Sequence, residues 1–276
     1  MKTLRHHLNR MNRQDGFTLI EMLITMALGL MILSAVIYTF TQQERLLKDQ
    51  NADSEIRALA RYAMGKMAED LRAAGAGVPA LRRFDSADTT EFSFRTISRD
   101  STNNPLEPGT VVSDITSGDT QISLGNVDGL QAGQTVALYD IEDLADTTIS
   151  GHDISKTINN VNTGAKKVTL SAGVTANYLA YDTMFNPFDV ITYTYDAAND
   201  RITRTINGTT STLISNVTAF TFVYKDVNEN ALAVPVSASN LNVMRKVEIA
   251  ITVQDPKKSN ASIDMNTDIY FRTTGL

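Results

Sequence analysis

The chain has 276 residues, of which 42% are hydrophobic and 20% charged, the ordinary composition of a globular protein and not of a disordered one. It contains no cysteine, so disulfide bonds, thiolate nucleophiles and thiolate-bound metals are excluded. The net charge is −6, and without the basic first 16 residues 21 basic and 30 acidic residues are left. Such an acidic chain has no general attraction for phosphate backbones, so we predict no nucleic-acid binding.

A basic leader precedes an apolar segment at the N-terminus. The leader holds four basic residues against Asp15 alone, and residues 22–43 contain no charged side chain. A helix needs about 20 apolar residues to cross a bilayer core, so residues 22–40 are just long enough. Lys and Arg are retained on the cytoplasmic side of the inner membrane. The pattern therefore predicts a single-pass anchor with the rest of the chain in the periplasm.

An ordinary secretory signal peptide is the alternative interpretation, because it also begins with basic residues and continues with apolar ones. Its apolar region is usually only about 7 to 15 residues long, and residues 33–35 are a poor candidate for its small-residue cleavage site. Glu21 also interrupts the apolar segment near its cytoplasmic end. A charge deeper in the membrane costs about 2.5–3.5 kcal/mol on insertion scales, so such a carboxylate is expected to have a function.

The residues that follow the leader resemble a known family. The run GFTLIEML at positions 16–23 is similar to the cleavage and methylation motif of type IV prepilins and type II secretion pseudopilins. The resemblance implies that a prepilin peptidase cuts after Gly16 and that the exposed Phe17 is N-methylated. It gives Glu21, then the fifth residue of the mature chain, a role in subunit assembly. The implied partners are other pilin or pseudopilin subunits, the prepilin peptidase and an inner-membrane assembly platform.

Elementary electrostatics suggests a role for Glu21 without the family. Cleavage creates a positive amine on Phe17, and Glu21 lies four residues further on, at nearly the same depth in the membrane. Opposite charges attract strongly in a poorly hydrated place, and each is costly alone. Pairing between the amine of an incoming subunit and Glu21 of its neighbour relieves both penalties and fixes the axial register. A pair within one subunit is the open alternative.

One long helix is predicted from Thr18 to Ala74. No proline interrupts residues 17–78, and the Gly-rich stretch 75–79 ends the helix, which places the assembly helix at 17–75. Beyond the membrane it is predicted to bury one stripe against a domain. That stripe consists of Leu46, Ile56, Leu59, Ala60, Ala63, Met67 and Leu71. Many major pilins have a proline in the apolar half, so this chain departs from them.

A β-rich head is predicted over residues 76–276. Its predicted strands are 190–195 and 201–206, joined as a hairpin, followed by 219–224, 243–253 and 269–273. The order of a long helix, a hairpin and further strands resembles the PilW-type minor pilins and the J-type minor pseudopilins. This resemblance implies an α+β, pilin-like fold in which the N-terminal helix packs on an antiparallel sheet.

Residues 105–185 exceed what a minimal pilin head needs. Short strands are predicted at 120–124, 135–139 and 167–170, with glycine-containing turns between them. We interpret this stretch as an inserted β subdomain, which is large enough for a small core of its own. Insertions on a rigid scaffold often carry binding, and a merely enlarged head is the alternative.

Few side chains offer catalytic or metal-binding chemistry. The three histidines are His6, His7 and His152, and the first two leave with the leader. A site built from several histidines is therefore excluded. Four carboxylates form an acidic cluster: Asp140, Glu142, Asp143 and Asp146. Their spacing fits no calcium loop, and the 226–230 stretch lacks the glycine and glutamate of an EF-hand loop, so we predict solvated turns, no metal site and no cofactor.

These observations favour a noncatalytic minor pilin at or near the tip of a type IV pilus, where it helps to initiate assembly. A mature chain of about 260 residues is bulky for a subunit that is packed thousands of times. A minor pseudopilin of a type II secretion system is the nearest alternative. A pilus-carried adhesin that binds through residues 105–185 is another. An enzyme is the least favoured class, and it would depend on Asp140 or Asp143.

Overall fold

The computed structural model describes residues 17–79, 83–100, 102, 104–107, 109–140, 153–255 and 258–271. The chain divides into two compact units, Met1–Ser54 and Glu55–Leu276. Helix α1, Leu19–Arg72, contributes to both. The sequence prediction of one long helix is therefore confirmed, with its observed end two residues before the predicted one.

In the first unit, the apolar side chains of α1 are exposed from Leu19 to Phe40. The helix is long and apolar enough to cross a membrane, and the residues of its most apolar window are not buried within the described chain. Hydroxyl side chains interrupt this surface, and each donates to a backbone carbonyl one turn earlier, as Thr25 does to Glu21 at 2.9 Å. These hydroxyls therefore need no external partner.

In the second unit, α1 buries one face against the head. The buried residues of this face are Ile56, Ala60, Ala63, Met64, Met67, Ala68 and Leu71. The predicted stripe is wrong at two positions, because Leu46 and Leu59 are exposed. Leu46 precedes this unit, and Leu59 lies at the edge of the buried face, where Met64 and Ala68 complete the packing on its other side.

The helix ends at a pair of glycines in left-handed backbone conformations, Gly75 with φ +84° and Gly77 with φ +73°. The amide of Gly75 donates to the carbonyl of Arg95 at 2.8 Å. A Cβ at Gly75 would lie 3.0 Å from the Cβ of Arg83, so both the φ and the space favour glycine there. The predicted helix stop is thus confirmed.

Ten strands of the described residues form one sheet in which every pairing is antiparallel. They are β1 Phe84–Ala87, β2 Glu91–Ile97, β3 Gly109–Thr110, β4 Gln121–Ser123, β5 Thr135–Asp140, β6 Asp153–Asn162, β7 Lys167–Leu170, β8 Thr183–Asp196, β9 Arg201–Ile206 and β10 Thr209–Ser215. Their order is β1-β2-β8-β5-β6-β7-β4, while β9 pairs with β8 and β10, and β3 pairs with β8. The predicted hairpin is β8–β9, paired from Ile191↔Ile206 to Asp196↔Arg201.

A second sheet has the order β11-β12-β13, again antiparallel. Its strands are β11 Val217–Lys225, β12 Lys246–Asp255 and β13 Lys258–Tyr270. A short helix, α2 Ala238–Leu241, precedes β12 and is capped by the side chain of Ser237. The strand predicted at 243–253 begins three residues later than expected, and most of β13 was not predicted.

The main hydrophobic core lies among α1, the inner face of the large sheet and the second sheet. Phe92 of β2 is its aromatic centre, with ring centroids 5.5 Å from Phe94, 5.7 Å from Phe222 and 5.1 Å from Tyr224. Because Phe222 and Tyr224 belong to β11, these contacts join the two sheets. The α+β architecture, with an N-terminal helix packed on antiparallel sheets, is therefore confirmed.

Residues 105–185 bury a second cluster of apolar side chains. Its members include Ile122, Leu138, Val168 and Phe185. However, β5 of this stretch pairs with β8, so its strands continue the large sheet. One strand, β8, contributes Phe185 to this cluster and Tyr193 to the main core. The boundaries of an inserted subdomain thus stay a prediction.

Candidate assembly site at the start of the helix

The predicted processing site lies where α1 begins. Gly16 is outside the described residues, and Phe17 is the first residue of the described chain. The Phe17 side chain is exposed, and Glu21 is the acidic residue of the first helical turn. Carboxylates are favourable there, because the first turn of a helix carries unpaired amides and a partial positive charge.

Thr18 and Glu21 cap the helix reciprocally. The amide of Glu21 donates to Thr18 Oγ1 at 3.3 Å, and the amide and hydroxyl of Thr18 both donate to Glu21 Oε2 at 3.5 Å. This is the geometry of a capping box, in which a Thr at the N-cap and a Glu three residues later satisfy each other's amides. The capping role of Thr18 was not predicted, although Thr-x-x-Glu before an apolar run is the sequence signal for it.

The bonds from Thr18 to the Glu21 carboxylate are long. Charge-assisted hydrogen bonds to a carboxylate usually measure about 2.7–2.9 Å, well below the 3.5 Å found here. The Glu21 side chain is exposed within the described chain. The capping box therefore positions the Glu21 carboxylate but leaves it able to accept a further, stronger hydrogen bond.

A second polar cluster fixes the end of α1 to the head. Asp70 Oδ2 accepts from Tyr193 Oη at 2.7 Å, from Arg204 Nε at 2.7 Å and from Arg204 Nη2 at 2.6 Å. Its Oδ1 lies 3.1 Å from Lys66 Nζ. Burial, followed by the negative charge of Asp70, raises the pKa of Tyr193, so the phenol stays protonated and donates. This Asp70 cluster joins α1 to β8 and β9.

A buried carboxylate also organises the region of the second apolar cluster. Asp153 accepts from the amide of Thr175 at 2.7 Å, the hydroxyl of Thr175 at 2.8 Å, Tyr178 Oη at 3.0 Å and Lys156 Nζ at 3.0 Å. Burial alone would raise the pKa of Asp153, but the hydrogen bonds from Thr175, Lys156 and Tyr178 outweigh it and lower that pKa. The four groups that contact this carboxylate within the described residues all donate to it or carry a positive charge, which indicates a structural role.

The other residues considered for chemistry do not form a metal site within the described chain. Asp140 accepts from the hydroxyl of Thr183 at 2.9 Å, whereas Glu142, Asp143, Asp146 and His152 lie outside the described residues. Among the residues with described positions, no group of three or more His, Asp and Glu side chains is arranged to hold a metal. The 226–230 stretch is a turn, as predicted, because Asp226 Oδ1 accepts from the amides of Asn228 and Asn230.

Comparison with known protein families concerns the N-terminal segment of the chain. The profile of the prokaryotic N-terminal methylation motif matches residues 11–37. No curated protein matches the chain. Among solved structures, the chain is similar to a phage phi92 endosialidase at 12% identity and a TM-score of 0.19, covering 69% of this chain and 38% of that one. A TM-score of that size does not indicate a common fold.

The motif match and the apolar helix concern the same part of the chain. Residues 11–37 include the end of the predicted leader, the Thr18–Glu21 capping box and most of the exposed apolar surface, which runs from Leu19 to Phe40. An apolar helix at this position fits anchoring in the inner membrane. Together these findings support a type IV prepilin-like protein, that is, a pilin or pseudopilin subunit that assembles with other such subunits after processing by prepilin peptidase.

Proposed function

We propose that this chain is a noncatalytic minor pilin of the PilW type, which enters a type IV pilus at or near its tip and helps to initiate assembly. The observation that carries the proposal is the match of residues 11–37 to the methylation motif, at the start of a helix whose apolar surface is exposed. The large head favours a minor subunit, because bulk on this scale is a burden for a subunit packed thousands of times. In this proposal the head, residues 76–276, lies in the periplasm.

The proposed mechanism begins with cleavage after Gly16 and methylation of the new amine on Phe17. The positive amine lies beside a surface of apolar side chains, where a lone charge is costly. Glu21 of the neighbouring subunit offers the matching carboxylate. Its own bonds from Thr18 are long, so an incoming ammonium provides a stronger donor than the capping box does. Subunits then add in one register, because only one axial position brings the two charges together.

The test combines intact mass, N-terminal sequencing and filament incorporation in native membranes. A Glu21→Gln variant keeps the size of the side chain and the capping geometry but removes the charge. We expect this variant to start at N-methylated Phe17 and to be incorporated into filaments at least about tenfold less than the parent chain. A tenfold ratio corresponds to about 1.4 kcal/mol. Glu44→Gln is the matched control, because Glu44 is an exposed carboxylate of the same helix, paired with Lys48 at 2.7 Å. We expect the control to be incorporated like the parent chain.

Other results would contradict the proposal. An uncut chain, or one cut beyond Ser34, would mean that the N-terminal segment is an ordinary anchor or signal. Normal incorporation of Glu21→Gln would refute the charge-pairing mechanism. Incorporation of the parent chain into a secretion pseudopilus instead of a pilus would assign it to the pseudopilin alternative, with the same chemistry at its N-terminus.

A further inference from the structure

Two apolar side chains project from one turn of the head. Leu179 and Tyr181 lie between β7 and β8, and both are exposed, Tyr181 to 70%. The residue that precedes them, Tyr178, is fully buried. Tyr178 therefore anchors the turn in the protein interior, whereas Tyr181 faces the solvent.

The turn is held firmly by the neighbouring 111–115 stretch. The amide of Tyr181 donates to the carbonyl of Val111 at 2.7 Å, and the amide of Ala180 donates to Asp114 Oδ1 at 2.9 Å. Tyr178 and Ile115 exchange two backbone hydrogen bonds of 2.9 Å. The amides of Tyr178, Ala180 and Tyr181 thus all have partners, so the backbone that carries the two exposed side chains is well fixed.

The backbone of Tyr181 is strained, with φ +63°. The left-handed region is unfavourable for a residue with a Cβ, and glycine or asparagine would satisfy this turn more easily. The tyrosine ring gains little from burial in exchange, since most of its surface is in solvent. Packing within the fold therefore does not explain why position 181 is a tyrosine. An exposed residue with a strained backbone indicates a functional constraint.

Charge distinguishes this region from the rest of the chain. Residues 105–185 contain ten acidic and three basic residues, against twenty acidic and eighteen basic in the remainder of the mature chain. Two of these carboxylates adjoin the turn: Asp114 bonds to it directly and Asp182 follows Tyr181 in the chain. Asp114 is exposed and Asp182 is half-buried, and these two negative charges beside the turn attract cations and repel a second copy of the same surface.

We propose that Leu179 and Tyr181 form a docking surface for a basic polypeptide that offers an apolar side chain. A rigid tyrosine is a low-entropy binding anchor, because the turn has already been ordered on folding. The carboxylates of Asp114 and Asp182 select a cationic partner and speed its encounter. The inference rests on the proposed function only in that a pilus subunit would present this turn to partners outside the cytoplasm.

The experiment measures peptide binding to the full chain in phosphatidylcholine nanodiscs, with empty nanodiscs as the blank. The probe is a soluble peptide with the repeat Lys-Lys-Leu, compared with a Lys-Lys-Ser peptide of equal length and charge. We expect the Lys-Lys-Leu peptide to bind at least tenfold more tightly, and added salt to weaken both peptides. Asp114→Asn with Asp182→Asn should weaken both peptides and reduce this salt dependence.

Tyr181→Gly is the decisive variant, because glycine adopts φ +63° without strain and removes the ring. We expect it to lose the preference for Lys-Lys-Leu while its thermal midpoint stays equal or rises, which separates lost binding from lost folding. Tyr62→Ala is the matched control, since the Tyr62 ring on α1 is 64% exposed, and it should bind like the parent chain. Glu21→Gln should also bind normally, so failed assembly and failed docking are distinguishable.

Three outcomes would overturn the proposal. Equal binding of the two peptides would show attraction by charge alone. Unchanged binding by Tyr181→Gly would exclude the turn as the docking surface. Self-association that depends on Tyr181, detected by light scattering without peptide, would assign this surface to a second copy of the chain.

Discussion

Replacing Asp70 with asparagine tests how α1 is held to the head. The substitution keeps the size of the side chain and removes the charge that faces Arg204 and Lys66. Removing one partner of a buried ion pair costs about 3–5 kcal/mol, because the other charge is left buried and unpaired. The side chains of Arg204 and Lys66 are 17% and 26% exposed, so water relieves part of that penalty. We therefore expect the free energy of unfolding to fall by about 3 kcal/mol.

Urea unfolding of the full chain, followed by near-ultraviolet circular dichroism of its tyrosines, measures this change. A loss of about 3 kcal/mol corresponds to a decrease of about 6–12 °C in the thermal midpoint of a domain of this size. Glu44→Gln is the control, because both members of the Glu44–Lys48 pair are exposed and its loss should leave the stability nearly unchanged.

A second pair of changes separates charge from packing in the Asp70 cluster. The double variant Asp70→Leu with Arg204→Met replaces both charges by apolar groups, and we expect it to lose clearly less stability than the two single variants add up to. Strict additivity, or a loss below about 0.5 kcal/mol for Asp70→Asn, would refute the argument that this cluster fixes the helix.

Three further perturbations test other features. Thr18→Val should weaken the first turn of α1 by about 1 kcal/mol, seen as faster amide exchange there, whereas Thr25→Val, which removes no cap, should leave it unchanged. Gly65→Ala should stabilise the chain by about 1 kcal/mol in urea unfolding, because a Cβ at this helical position meets no atom within 4 Å. Gly75→Ala should instead destabilise the chain by more than that, because Gly75 has a φ of +84°. Since the folded-state pKa of Asp153 is lowered, its stabilisation is present above the unfolded pKa of about 3.9 and is lost as the pH falls below it. Asp153→Asn should therefore lose less stability than the parent chain between about pH 4 and pH 2, and an unchanged acid profile would contradict this.

The long helix and the hairpin were predictable because their signals are local. The apolar run and the stop at Gly75 define α1, and alternating residues on either side of a polar turn define β8 and β9. The burial of single helix positions was less predictable, as Leu59 shows, because periodicity alone does not fix which edge of the stripe meets the head.

Several strands were missed because their sequences are polar. Edge strand β13 alternates exposed residues such as Asp264 and Asp268 with half-buried ones, so its apolar signal is weak. Strand β10 is rich in hydroxyl residues, yet the Asn207-Gly208 pair that precedes it, with both φ angles positive, is a strong hairpin signal and was available in the sequence.

The residues of the candidate site were likewise predictable only where their sequence signal is local. A short motif pointed to Gly16, Phe17 and Glu21, and the same motif contains the Thr18 cap. The Asp70 cluster was beyond sequence reasoning, because its partners Tyr193 and Arg204 lie 123 and 134 residues further along the chain. Only the tertiary fold brings them together.

Strand β8 has a consequence for how this head can be engineered. Its first half pairs with β5 from the 105–185 stretch, and its second half pairs with β9. Excising residues 105–185 would remove β5 together with the first three residues of β8. It would leave Asn186 to Phe188 of β8 without the strand they pair with, an open strand edge that is a template for aggregation. The 105–185 stretch is therefore part of the same sheet as the rest of the head. Its contribution to binding is best tested by point substitutions that keep the strand pairing intact.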